Sequence, residues 1–158
     1  MEKHREELFG LLNRDKYFPQ RYILYGEWMH AVHSVSYKSL PDRFLAFDLF
    51  DRGEGKFVNR ETLETLLSGT GIHITRVMEK RDTIPTDGEL RALVQNQSAF
   101  SEGRVEGVVV KIEDRGWVKW RGKVVRGDFL AGNQHWSKNI MQENGILAAN
   151  IEGLDIAS

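Results

Sequence analysis

A chain of 158 residues, 41% hydrophobic and 28% charged, has the length and composition of a single globular domain and not those of a disordered segment. Its lack of cysteine excludes disulfide frameworks, thiolate zinc sites and a cysteine nucleophile. A net charge of −1, the absence of an apolar run near the roughly 20 residues of a membrane span, and a charged MEKHREEL start predict a soluble cytoplasmic protein with no membrane association.

In chain order, Leu8, Leu11 and Leu12 fall on one face at helical spacing and predict an amphipathic helix within residues 2–14. The aromatic and β-branched stretch Arg21–Val32 reads as a strand with a close-packed point at its glycine. Phe44–Asp51 reads as a second strand, joined by the glycine-bearing RGEGK to KFV in a hairpin. Asn59 predicts a cap for a helix over Glu61–Leu67 that stops at Gly69, and HITRVME predicts a strand. Thr86-Asp87-Gly88-Glu89 matches the capping box, with a helix over Leu90–Asn96. VEGVVVKI and WVKWRGKVV, separated by EDRG, predict a long hairpin, and HWSKNIMQEN a terminal helix before a small-residue tail. Helices and strands interleaved this irregularly predict an α+β fold with two mostly antiparallel sheets and flanking helices.

Charge is uneven. Arg104–Arg126 carries seven basic residues against three acidic ones, a cationic stripe, whereas Lys138 alone faces four acidic residues from Gly127 onward. Four short patterns stand out: Tyr25-Gly26-Glu27-Trp28, Phe47-Asp48-Leu49, Glu106 to Lys111 (EGVVVK), and Trp117-Val118-Lys119-Trp120-Arg121. Singly, each has a plain reading. Glu-Gly before valines is usually a turn into a buried strand, tryptophans are usually core fillers, and a strand-end lysine is usually solvated. His30 and His33 lie on opposite faces of a strand and make no metal pair, and His73 has no carboxylate partner nearby in sequence.

Jointly, in this order and spacing, the four patterns resemble motifs III, IIIa, IV and V of the covalent nucleotidyltransferase superfamily. The wording YGEW, AFDLFD, EGVVVK and KWRGKVVR, with His135-Trp136 after it, is similar to the ATP-dependent RNA ligases. The resemblance implies an adenylyltransferase domain of the nucleotidyltransferase (ATP-grasp-like) ligase fold, with its nucleotide cleft between two sheets. It places a partial domain at residues 1–144 and a tail at 145–158. It implies ATP and Mg²⁺ as cofactors, RNA with 5′-phosphate and 3′-hydroxyl ends as partner, and sealing through adenylated intermediates.

Carried over residue by residue, the resemblance gives Phe47 the adenine stack and Glu27 the ribose hydroxyls. It gives Glu106 the catalytic metal or its water, and Lys119 the α-phosphate. Arg121 stands where the family often has a second lysine, a planar fork in place of a point charge, and Lys111 closes motif IV as a further nucleotide-binding candidate. Motif I, Lys-x-Asp-Gly, has no match upstream of Glu27: Lys3 precedes His-Arg-Glu and Lys16 precedes Tyr-Phe-Pro. The chain is therefore expected to be the C-terminal part of such an adenylyltransferase domain, inactive alone in self-adenylylation, and either a truncated product or one piece of a split protein whose lysine comes from a separate N-terminal segment bearing Lys-x-Asp-Gly. A non-catalytic nucleotide- or RNA-binding module derived from a ligase is the alternative.

Overall fold

The computed structural model describes residues 2–30, 36–127 and 145. The expected terminal helix, His135-Trp136 and His33 lie outside the described residues. The order is α1 (Glu2–Leu12), α2 (Phe18–Arg21), β1 (Tyr22–Trp28), β2 (Phe44–Asp51), β3 (Lys56–Phe57), α3 (Arg60–Leu67), β4 (His73–Ile74), α4 (Asp87–Leu93), β5 (Gly107–Asp114) and β6 (Trp117–Val125). The chain divides into two compact units, one of Met1–Trp28, Phe44–Val77 and Lys111–Arg121, the other of Met29–Arg43, Met78–Val110 and Gly122–Ser158. The fold is α+β, as expected. No helix among the described residues is long and apolar enough to cross a membrane.

The first unit is built on a four-stranded sheet in which β2 pairs antiparallel with β1 and β3 and parallel with β4. This sheet is thus mostly antiparallel, as expected, with β4 as its parallel member. The predicted HITRVME strand shrinks to His73–Ile74, which pairs with Leu45 and Ala46. Leu11, Phe18, Ala46, Leu49, Val58, Leu63, Leu67 and Ile72 form the core, with Leu8 and Trp117 packed against it. Leu12 is exposed, so only Leu8 and Leu11 of the predicted helix face serve the core.

Two local devices set the element ends. Asn59 Oδ1 accepts from Thr62 N at 3.0 Å, opening α3 so that Leu63 and Leu67, four apart, both point into the core. Asp51, 1% exposed, is the pin of the β2–β3 turn. Its Oδ1 accepts from Gly53 N at 2.9 Å and Glu54 N at 3.2 Å, while its Oδ2 accepts from Arg21 Nε and Nη2 at 3.0 and 2.7 Å. The turn is thereby tied to the residue that precedes β1.

In the second unit, α4 starts on the predicted capping box. Thr86 Oγ1 accepts from Glu89 N, and Glu89 Oε2 accepts from Thr86 N at 2.7 Å, which holds the Glu89 carboxyl down at about 2. The helix begins three residues before the expected Leu90 because the box itself is its first turn. Gly145 donates from its N to the Tyr37 carbonyl at 2.7 Å and accepts from Leu40 N at 3.1 Å.

The strands β5 and β6 pair as the predicted hairpin. Its loop is only Arg115-Gly116, at φ 48° and 87°, the two positive angles that a tight hairpin turn with right-handed twist requires. Only Val108 of β5 is buried, so the plain reading of EGVVVK as a buried strand is corrected. Trp117 is partly buried against the core of the first unit, whereas Trp120 is exposed and is not a core filler.

Candidate functional site

The register of β1 on β2 slips between Tyr25 and Gly26: Tyr25 faces Asp48, but Gly26 faces Ala46. Phe47 is the extra residue of a β-bulge. This shifts the phase of burial along β2, where Leu45 with Ala46 and then Asp48 with Leu49 are buried as adjacent pairs. Phe47 is left half-buried, re-aimed relative to a regular strand. Gly26 permits the slip, because a Cβ there would sit 2.3 Å from Phe44 Cζ and 3.0 Å from the Leu45 carbonyl oxygen.

Next to the bulge, Asp48 has a side chain only 6% exposed. Its Oδ1 accepts from Lys111 Nζ at 2.5 Å and its Oδ2 from Arg121 Nη1 at 2.9 Å. Lys111 Nζ also donates to the Phe47 carbonyl at 2.9 Å. The Arg121 guanidinium lies 4.1 Å from the centroid of Phe57, whose ring meets Tyr25 at 5.6 Å and Phe50 at 5.0 Å. The cations are thus held by charge-assisted bonds and by an aromatic face. Sequence reasoning places Asp48 inside a motif without giving it a role; an acid set between apolar strand residues is the signal that points to it.

Not every candidate joins this cluster. Lys119 is exposed, its Nζ 3.8 Å from Asp114 Oδ2. Glu27 is exposed near the end of β1, opposite Leu45. In the second unit, half-buried Glu106 accepts from the Tyr37 hydroxyl at 2.6 Å through Oε1. Tyr37 is a partner that nothing in the sequence selects. The glycine after Glu106 is required by packing, since a Cβ at Gly107 would lie 2.6 Å from the Val124 carbonyl oxygen.

Among the described residues no group of three or more His, Asp or Glu side chains is placed to cage a metal. Magnesium commonly binds through one or two carboxylates together with water and substrate phosphates. The single carboxylate of Glu106 fits a Mg²⁺ that arrives with a phosphorylated ligand, not a resident protein cage.

The first unit thus sets a bulge-displaced aromatic, Phe47, next to a buried carboxylate, Asp48, on which two cations converge. The family is shown independently: the sequence matches the RNA ligase family model over residues 1–124, and the chain belongs to the RNA ligase family. No curated protein and no solved structure matches it.

Proposed function

We propose that this chain supplies the nucleotide- and end-binding part of an ATP-dependent RNA ligase that joins 5′-phosphate and 3′-hydroxyl ends. The observation that carries the reading is the meeting of Phe47, Asp48, Lys111 and Arg121, drawn from three separate motifs, in a chain of the RNA ligase family. Phe47 stacks on adenine and Glu27 accepts from the ribose. Lys119, Lys111 and Arg121 neutralise phosphate charge, Lys119 at the α-phosphate. Glu106 meets the Mg²⁺ that accompanies ATP, which would supply further charge neutralisation at phosphorus. Asp48 keeps Lys111 and Arg121 in place.

The nucleophilic lysine of the family reaction is matched by no Lys-x-Asp-Gly in these 158 residues. Given ATP labelled at the α-phosphate and Mg²⁺, the chain acquires no covalent label of the alkali-stable, acid-labile kind that marks a lysine phosphoramidate; a stoichiometric adduct would reveal an unrecognised nucleophile and remove this part of the proposal. That same feature favours the second reading, a binding module without catalysis. The two separate when a segment bearing Lys-x-Asp-Gly is added, because the ligase reading expects its lysine to become adenylylated.

The binding reading is tested by calorimetric titration with ATP. Phe47→Ala is expected to weaken binding by about 1–3 kcal/mol, the range for stacking a base on an aromatic ring. Equal binding by the variant would make Phe47 a packing residue and end its assignment to adenine.

A further inference from the structure

Within the second unit, a groove of about 420 Å³ runs between α4 and the end of β6, lined by Arg91, Gln95, Lys123 and Arg126 above a floor that includes Val94 and Val124. We propose that this groove holds the phosphodiester backbone of an RNA strand. Its cations come from two elements. Arg91, 74% exposed, stands on α4, and Lys123 and Arg126 stand at the end of β6.

The acidic residue of the lining, Asp87, is already bound by Arg91 at 2.7 Å. It leaves exposed Lys123, which makes no ion pair with a described residue, to face solvent anions. Arg104 Nη1 donates to Gln95 Oε1 at 2.5 Å, bringing a further guanidinium to the rim. Gln95, a lining residue whose oxygen takes this bond, keeps the two N–H donors of its amide. Arg126 is anchored through its Nη1 on the Val105 carbonyl at 3.4 Å and its backbone N on the Glu106 carbonyl at 3.0 Å.

Cationic walls over an apolar floor suit a chain that alternates phosphates with sugars. Free 2′-hydroxyls of RNA offer acceptors to the Gln95 amide. The choice of RNA over other polyanions rests on the ligase reading above, and Lys123 lies two residues beyond Arg121 on the same strand.

The test uses the full chain and a fluorescent 5′-phosphorylated single-stranded RNA, with anisotropy read between 50 and 200 mM NaCl (about the range over which salt displaces cations bound to phosphates). Lys123→Glu is expected to weaken binding about tenfold at the lowest salt and to reduce the salt slope by about 0.7 for each phosphate that is no longer neutralised. Arg91→Gln is expected to weaken it several-fold. Lys16→Glu, a matched charge change on the α1–α2 connection, leaves affinity unchanged. Unaltered binding by Lys123→Glu, or an equal weakening in Lys16→Glu, overturns the groove, and so does an absence of RNA binding by the parent chain. Equal affinity for DNA of the same sequence overturns the assignment to RNA. ATP titration is read separately: a failed groove with intact ATP binding leaves the nucleotide site standing, and Lys123-dependent RNA binding without ATP binding does the reverse.

Discussion

Asp48 and Asp51 are buried carboxylates on one strand, and each survives burial because arginine or lysine answers it. For Asp48 the partners are Lys111 and Arg121, so Asp48→Asn removes the charge on which two cations converge. Hydrogen bonds to charged groups contribute about 1.5–3 kcal/mol, and the variant is expected to lose that much unfolding free energy in urea. Lys119 behaves differently. Because it is exposed and only loosely placed near Asp114, Lys119→Ala should change stability by less than about 0.5 kcal/mol, so any loss of ATP affinity reports on binding alone. Asp51 adds a pH dependence. The Arg21 hydrogen bond, opposed by burial and aided by the Glu54 and Gly53 amides, holds its carboxyl below the ordinary range. A depressed folded value means that the stabilisation is fully present above the unfolded value, about 3.9, and is lost as pH falls through the lower folded one. Acid titration of unfolding should therefore show a decline below about pH 4 that is shallower in Asp51→Asn.

At the scale of elements, what was legible in the sequence was what is local. Asn59 and Thr86 announce helix starts because a cap is satisfied within three residues, and both side chains do accept from the expected amides. The β5–β6 hairpin was legible for the same reason, down to a glycine in its loop. The bulge at Phe47 was not, since it exists only in the pairing of β2 with a strand some twenty residues earlier, where Gly26 lets Phe44 close in. The Glu106-Gly107 pair was legible as a motif, but the need for glycine comes from Val124 on the opposite strand. Gly107→Ala is expected to prise the start of the hairpin apart at a cost of about 1–3 kcal/mol. The backbone N–H of Arg126, bonded to the Glu106 carbonyl at 3.0 Å, should lose hydrogen-exchange protection in that variant; unchanged protection would show that the hairpin end absorbs a methyl group without moving.

For the molecule as a whole, the α+β class followed from the alternation of patterns, but the division into two units did not, because each unit gathers three segments distant in sequence. The same long-range pairing decides which strand is left at an edge. Among the described residues β1 pairs only with β2, and it exposes Ile23, Tyr25 and Trp28 at about 40% of their surfaces. An edge strand with unpaired backbone groups and apolar side chains is a template for pairing between chains, and a charged residue on it is the usual protection. β1 has Glu27 near one end, while Ile23 and Tyr25 in its first half carry no charge. Light scattering is therefore expected to rise with concentration for the parent chain, and Ile23→Lys to suppress that rise without lowering the unfolding midpoint, because Ile23 lies outside the core cluster. A parent chain that stays monomeric over the same range would mean that the β1 edge is already shielded, and a variant that associates as strongly would move the contact to another surface.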